Sequence, residues 1–150
     1  MNPRVSNSIK HLIIGILENN VFDTLNKSRK DFIANVLWHI LSIKGRINFL
    51  QLGRFSTLCE QTFRNHFQTE FDFLSFNKEL IDQVVSDQLI IAFDPSYIPK
   101  AGKSTYGRGR YWSGVAGKAK WGLDICGFAV VDIVNNTALH LRAWQRPCAE

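Results

Sequence analysis

The sequence predicts an α+β fold in which a helical N-terminal region precedes a set of antiparallel strands. Apolar residues recur at helical spacing through the first part of the chain, which favours helices there. A nearly pure apolar run at 89–93 and a stretch rich in β-favouring residues at 121–133 favour strands in the second part. The pattern changes after Ser86, so we predict a helical region over residues 1–86 and a strand region over residues 87–150.

Apolar stripes at helical spacing predict several helices in the first region. The first stripe comprises Ile9, Leu12, Ile13, Ile16 and Leu17. Ser28, with Asp31 three residues later, resembles a capping box that opens the second helix, and Gly45 ends it. Asn77 is expected to cap a later helix, whose apolar side comprises Leu80, Ile81, Val84 and Val85. These stripes are assigned to the hydrophobic core and to no chemistry.

A helix-turn-helix candidate lies between residues 47 and 67. A short helix breaks near a glycine, and Thr57 with Glu60 forms a capping box for the next helix. On that helix the residues expected to face inward are Cys59, Phe63, His66 and Phe67, and those expected to face outward are Gln61, Arg64, Asn65 and Gln68. Because such polar side chains read base edges well, Arg64 and Asn65 are candidate DNA contacts. A helical pair that binds nothing remains the alternative, and His66 is interpreted as a packed or surface residue rather than a ligand.

Three strands are predicted in the second region. The first, Leu89–Phe93, is expected to be buried and to end at Asp94, because Pro95 offers no backbone donor. The second covers about 121–133 and the third about 137–144. An Asn-Asn pair between the last two is a good tight turn, so we expect those strands to form an antiparallel hairpin.

Asp94 is the candidate metal ligand and catalytic residue of this region. A carboxylate at the end of a strand is held by the sheet, and hard oxygen ligands suit Mg²⁺-dependent phosphoryl chemistry. A strand-end Asp that only caps a turn is the alternative. Asp124 and Asp132 are interpreted as solvent-facing or edge residues. The Gly-Lys-Ser segment at 102–104 is not a phosphate loop, because Tyr97 occupies the position where GxxxxGK[ST] requires glycine.

Positive charge is concentrated in the second part of the chain. Residues 91–150 contain 8 basic against 4 acidic residues, whereas residues 1–90 contain 10 against 9. The basic residues of the acid-free stretch between positions 100 and 120 are Lys100, Lys103, Arg108, Arg110, Lys118 and Lys120. Aromatic residues are interleaved with them, which suits nucleic-acid contact through stacking and phosphate neutralisation. These aromatic residues are Tyr106, Tyr111, Trp112 and Trp121. A solvated loop, or a loop docked on the core, is the alternative.

Composition fits a globular protein outside the membrane. The chain has 150 residues, of which 45% are hydrophobic and 21% charged. It has no apolar run approaching the roughly 20 residues of a membrane span, and the short run at 11–17 lacks a signal-peptide cleavage site. Cys59, Cys126 and Cys148 are scattered, and we interpret them as reduced cytosolic thiols without metal. A cytoplasmic location is therefore expected.

Several motifs together resemble insertion-sequence transposases of the DDE class. In the strand region they are Ala92-Phe93-Asp94-Pro95-Ser96-Tyr97-Ile98, Gly102-Lys103, Trp112-Ser113-Gly114, Lys118-Ala119-Lys120-Trp121-Gly122-Leu123 and Leu139-His140-Leu141. In the helical region they are Asn48-Phe49-Leu50-Gln51-Leu52-Gly53-Arg54 and Phe71-Asp72-Phe73-Leu74-Ser75-Phe76-Asn77. The similarity extends over most of the chain from about Ile47 onward.

The resemblance implies a fold, a chemistry and a partner. The fold is an RNase-H-like catalytic core opened by three antiparallel strands, and the chemistry is metal-dependent DNA strand cleavage and transfer. Asp94 matches the first catalytic acid, which binds a divalent metal, usually Mg²⁺, together with a second Asp and a Glu from later in the chain. The basic segment at 100–120 approaches DNA phosphates. The implied partner is the DNA of transposon ends. A second copy is a further candidate partner for full-length members of the family.

The chain departs from the family pattern in its catalytic acids. The second Asp is expected after a further helix and strand and the Glu later still, whereas Asp124 and Asp132 come too early and Glu150 does not match. A single carboxylate binds Mg²⁺ weakly. We therefore interpret the chain as an N-terminal fragment with an incomplete core, inactive on DNA and prone to instability or aggregation over 87–150. The alternatives are a small non-catalytic DNA-binding protein that regulates transposition, and a poorly folding product without function.

Overall fold

The computed structural model describes residues 3–146, with side chains from Ser8 onward. In this part of the chain five α-helices and one 3₁₀ turn precede a four-stranded antiparallel sheet, which confirms the predicted α+β class. The helices are α1 Pro3–Leu17, α2 Lys27–Ser42, α3 Phe49–Phe55, α4 Glu60–His66 and α5 Phe73–Ile81. The strands are β1 Leu89–Pro99, β2 Gly109–Ser113, β3 Lys118–Asp132 and β4 Thr137–Arg146. Cys148 and Glu150 lie outside the described residues.

The chain divides into two compact units, residues 1–76 and 77–150. The division falls ten residues before the pattern change noted at Ser86. The last turn of α5 belongs to the sheet unit, because Asn77 Nδ2 donates to the Leu141 carbonyl of β4 at 2.9 Å and Ile81 is buried. Ser86 is tied to the same unit by hydrogen bonds to Asp132.

The helical unit has an apolar and aromatic core. Its most deeply buried residues are Ile13, Ile16, Leu17, Phe22, Phe32, Leu52, Phe63 and Phe76. Arg29 of α2 is also buried, and its guanidinium donates to the His66 carbonyl at 2.9 Å and to the Thr69 carbonyl at 2.8 Å. The imidazole of His66 stacks on Phe32 with ring centroids 4.0 Å apart. His66 is therefore a packed residue, as the sequence predicts.

Three predicted helix caps are wrong. Asn26, not Ser28, caps α2, because its side-chain oxygen accepts from the Arg29 amide at 2.8 Å. Cys59 is the N-cap residue of α4 and makes no side-chain cap bond, so the box predicted at Thr57 does not form. Asn77 lies inside α5, and a hydrogen bond to β4 occupies its side chain. Ser, Thr, Asn and Asp recur along this region, and spacing alone does not decide which of them the tertiary structure uses.

β3 is the central strand of the sheet. It pairs with β1 along one side, and on the other side with β2 over Lys118–Gly122 and with β4 over Asp124–Asp132. The predicted hairpin is confirmed, since β3 and β4 are antiparallel neighbours joined by a turn in which Asn136 has φ 50°. A β-bulge between Phe128 and Ala129 shifts the register of this pair.

β1 differs from its prediction in length and burial. It continues through Asp94 and Pro95 to Pro99, and Pro95 lies opposite Cys126. Proline is tolerated there because β1 pairs with β3 alone and is therefore an edge strand. Its apolar side chains are not buried: Ile91 is 59% and Phe93 55% exposed. A strand that is apolar on both faces is typical of a sheet covered on both sides, and the described residues of the sheet unit provide no such cover over β1.

β2 was not predicted. The glycine-rich stretch between positions 100 and 120 is not one loop, because Gly109–Ser113 forms a ladder with Lys118–Gly122. A short turn containing Gly117, with φ +58°, joins β2 to β3. Tyr111 and Trp112 have high β propensity, and glycines on either side concealed that signal. No helix of the described residues is long and apolar enough to cross a membrane.

Candidate functional site

The register of the ladders assigns every strand residue to one of two faces of the sheet. Residues opposite one another share a face, and neighbours along a strand alternate. Asp94 lies opposite Gly127, and Arg110 lies opposite Trp121, which is six residues from Gly127. All four positions therefore lie on one face, here called the Asp94 face. Asp124 and Asp132 occupy the other, here called the Asp132 face.

The sequence predicts a solvent-facing or edge residue at Asp132, but this residue is buried at the end of the central strand and its carboxylate is engaged in hydrogen bonds. Its carboxylate accepts from the backbone amides of Ser86, Val134 and Asn135 at 2.7, 3.0 and 3.0 Å. The Ser86 hydroxyl and the Asn135 side-chain amide donate to it as well. The hydrogen bonds from Asn135 and Ser86 hold the pKa of Asp132 well below its usual range, against the opposing effect of burial. The carboxylate closes the β3–β4 turn and anchors the approach to β1.

Asp124 is also buried, within the central strand, so the predicted solvent-facing or edge position is wrong for this residue too. Its carboxylate forms an ion pair with Arg146 of β4, whose guanidinium also lies over the Tyr111 ring at 5.8 Å from the centroid. The Tyr111 hydroxyl lies 3.1 Å from both the Gly107 and the Arg146 carbonyl oxygens. These contacts join the ends of β2 and β4, which meet end to end along β3. Asp124 thus supports the sheet.

Asp94 differs from both of these acids. It is exposed, and the hydrogen bond it receives from the Ser96 hydroxyl is long, at 3.3 Å. Across the Asp94 face its row continues through Gly127 of β3 to Ala143 of β4. Because neither neighbour carries a large side chain, the sheet surface beside the carboxylate is flat and open. Asp94 is the one acidic residue that the four strands place on this face.

The described residues do not fit a protein-held Mg²⁺ site. They contain no group of three His, Cys, Asp or Glu side chains that could hold a metal ion. Asp94 supplies one oxygen ligand, and Asp124 and Asp132 lie on the opposite face with their carboxylates engaged. Mg²⁺ held by one carboxylate keeps most of its waters and binds weakly.

The six predicted DNA-binding basic residues of the strand region are distributed, not clustered. Arg110 lies on the Asp94 face, and Lys118 and Lys120 lie on the Asp132 face. Lys100 and Lys103 belong to the segment that joins β1 to β2. Arg108 ends that segment, and its guanidinium lies 4.7 Å from the centroid of the Trp121 ring. Positive charge therefore reaches both faces at this end of the sheet.

The candidate DNA contacts of the helical unit, Arg64 and Asn65, are exposed on α4. This helix follows α3 after a four-residue turn. Arg64 pairs with Glu60 one turn earlier at 2.5 Å and lies over the Phe49 ring at 5.2 Å. Asn65 accepts a 2.8 Å hydrogen bond from Gln61. Of the inward set, Phe63 is buried and His66 packed, whereas Cys59 and Phe67 are exposed. An exposed i,i+4 ion pair costs little to break, so Arg64 stays available to a ligand.

Sequence reasoning identified aromatic residues among the basic residues of the strand region, but it did not place Trp112 and Trp121 on the same face as Asp94. Trp112 and Trp121 are 68% and 54% exposed on that face. Their positions depend on the register of β2 against β3, which was not predicted. The alternation Arg110-Tyr111-Trp112, with the buried Tyr111 between two exposed residues, was the available signal.

Comparisons with protein-family models, with curated proteins and with solved structures found no match to the chain.

Proposed function

We propose that the chain carries the opening part of a DDE-type transposase core with RNase-H-like architecture, and that Asp94 is the first of its catalytic acids. The observation that carries the proposal is the contrast among the three acids of the strands. Asp124 and Asp132 are buried and engaged, whereas Asp94 is exposed beside Gly127 on a flat surface. An exposed acid whose one side-chain contact is a long hydrogen bond from Ser96, on an otherwise neutral or basic face, is available to a metal ion or a DNA-bound ligand.

The arrangement of the strands supports the same proposal. β1, β3 and β4 are consecutive antiparallel neighbours in the sheet, which agrees with the three opening strands that the resemblance implies. The outer edge of β1 has no strand partner among the described residues. A strand added at that edge would run about 4.8 Å from β1, so a carboxylate on it could lie beside Asp94.

The proposal predicts that the 150-residue chain does not cleave or join DNA by itself. Strand cleavage of this type requires several carboxylates around two ions, and the Asp94 face offers one. We would incubate the purified chain with supercoiled plasmid in Mg²⁺ and in Mn²⁺ and measure nicked product. No nicking above a buffer control is expected. Metal-dependent nicking that Asp94→Ala abolishes would contradict this part of the proposal.

The encoding DNA offers a test of the family assignment. We would read the nucleotide sequence beyond codon 150 in all three frames. A strand-end Asp followed later by a Glu, in any frame, supports the proposal. Unrelated sequence in every frame would remove the basis for a catalytic role of Asp94 and favour the second candidate.

The second candidate is a small non-catalytic DNA-binding protein, and the exposed polar side of α4 favours it. Arg64, Asn65 and Gln61 lie together on that helix after a short turn from α3. Binding would then be independent of metal and would weaken steeply with salt, because basic residues displace counterions from phosphates. Titration of a labelled duplex in EDTA at increasing salt separates this candidate from a chain with no affinity for DNA.

A further inference from the structure

We propose that Trp112 and Trp121 form a stacking platform for unpaired bases of DNA, on the same face of the sheet as Asp94. The inference rests on the proposed function only in the choice of DNA as the polyanion. The platform itself follows from the position, exposure and charge of the residues that form it. The DNA bound at this end of the sheet would be single-stranded or would have extruded bases.

The two indole rings stand on one surface. Trp112 of β2 lies opposite Ala119 of β3, and Arg110 lies opposite Trp121, so two tryptophans and one arginine share adjacent positions of a single ladder. Ala119 leaves the surface beside Trp112 open. Large aromatic rings left exposed together indicate a binding surface more often than isolated exposed apolar residues do.

Positive charge accompanies the rings. The Arg108 guanidinium lies over the Trp121 ring, 4.7 Å from its centroid, and its Nε donates to the Lys100 carbonyl at 3.0 Å. The stretch from Lys100 to Lys120 contains no acidic residue. An apolar protein partner would not need these cations, whereas a nucleic acid presents phosphates and flat aromatic bases together. Charge complementarity therefore selects a single-stranded nucleic acid as the occupant.

The backbone beneath Trp121 is held firmly. The Tyr97 hydroxyl donates to the Trp121 carbonyl at 2.9 Å from the neighbouring strand. The Tyr97 ring lies against Gly122, where an added Cβ would come within 2.4 Å of that ring and of the Ile98 carbonyl oxygen. Gly122 therefore permits the contact that fixes β1 against β3. A fixed support lowers the entropy lost when a base stacks on the ring above it.

Unpaired bases fit this surface better than a duplex does. Bases within a duplex stack on one another, so their faces reach a protein ring only when they are single-stranded or flipped out. Trp121 lies six residues along β3 from Gly127, which faces Asp94, and that is about 20 Å of extended strand. A DNA strand that stacks on the platform could therefore extend along the Asp94 face.

The test compares a fluorescein-labelled 20-nucleotide oligothymidine with a labelled 20-base-pair duplex, both bound to the 150-residue chain in EDTA. We expect the chain to prefer the oligothymidine and its tryptophan fluorescence to be quenched on binding. Trp112→Ala should weaken oligothymidine binding about tenfold, and Trp112→Phe should retain most of the affinity. Circular dichroism should be unchanged, because the Trp112 side chain is largely exposed.

Trp144→Ala is the matched control. Trp144 is 45% exposed but lies opposite Cys126 on the Asp132 face, so its loss should change oligothymidine affinity less than twofold. Equal losses in the two alanine variants, or a preference for the duplex, would overturn the platform. Self-association of the chain that Trp112→Ala abolishes and oligothymidine does not compete would overturn it too, because a second copy would then cover the rings.

Failure of this inference is separable from failure of the proposed function. EDTA excludes metal at Asp94, so the oligothymidine measurement is independent of metal binding there, and the comparison of Trp112→Ala with Trp144→Ala isolates the platform. Loss of the stacking preference with metal binding retained at Asp94 refutes the platform and leaves the proposed function in place. A stacking preference without metal binding at Asp94 supports the platform and counts against the proposed function.

Discussion

The acidic residues on the two faces of the sheet differ in burial and in hydrogen bonding. On the Asp132 face two carboxylates are buried, one closed in by five hydrogen bonds and one paired with Arg146. On the Asp94 face one carboxylate is exposed, and the positions across the sheet from it are Gly127 and Ala143. Acids of the same type, on strands of the same sheet, thus serve the fold on one face and remain open to a ligand on the other.

The environment of each acid, and not its position on a strand, therefore decides whether its carboxylate is engaged by the fold or exposed to solvent. Asp132 is held by donors that the chain itself supplies, so a ligand would have to displace them. Asp94 makes one long contact with Ser96, and a ligand would displace little. Substitutions on the two faces should therefore differ most in their effect on stability.

The largest effect is expected from Asp132→Ala. This change leaves three backbone amides, a hydroxyl and a side-chain amide without the buried carboxylate that accepts from them. We expect the melting temperature to fall by roughly 10 °C or more, measured by circular dichroism. Asp94→Ala is the paired control and should lower it by no more than about 2 °C. Similar losses in both variants would contradict the contrast between the faces.

A smaller difference is expected between two strand glycines. At Gly122, on the Asp132 face, a Cβ would approach the Ile98 carbonyl and the Tyr97 ring to 2.4 Å, whereas at Gly127, on the Asp94 face, the nearest atom is 3.8 Å away. Gly122→Ala should therefore destabilise the chain by about 2 kcal/mol in urea unfolding. Gly127→Ala should be neutral or slightly stabilising. Equal effects would mean that the surface beside Asp94 is not open.

The pH dependence of stability should reflect Asp132. Because the pKa of Asp132 is lower in the folded than in the unfolded chain, its contribution is complete above the unfolded value of about 4 and is lost as pH falls below it. Unfolding by urea between pH 6 and pH 2.5 should show a decline at the acidic end. Asp132→Asn should make that decline shallower while lowering stability at pH 6. An unchanged acidic decline would place its origin in other carboxylates.

The sequence predicted the elements whose signals are local. The stripe ending at Leu17 is in α1, and the Asn-Asn turn joins β3 to β4, because periodicity and turn chemistry act within a few residues. The burial and pairing of Asp124 and Asp132 could not be predicted. Their partners, Arg146 and Ser86, are distant in sequence and come close only when the sheet forms.

The shared face of the two platform rings could not be predicted either. Trp112 and Trp121 share a face only through the register of β2 against β3, and the glycines around β2 hid that strand. Asp94 was found from its motif, but the surface beside it depends on Gly127 and Ala143 of two other strands. The pairing of strands distant in sequence thus determines which residues share a face, and local sequence patterns do not reveal that pairing.

The role of Asp94 is tested most sharply by locating a paramagnetic ion on the 150-residue chain. We would titrate Mn²⁺ into ¹⁵N-labelled protein and follow the line broadening of backbone amides. We expect weak binding that broadens residues around Asp94 and Gly127 first. This broadening should disappear in Asp94→Asn and persist in Asp87→Asn, since Asp87 is an exposed acid just before β1. Broadening centred on other acids, or unchanged by Asp94→Asn, would contradict the assignment of Asp94 as the ligand-binding acid of the sheet.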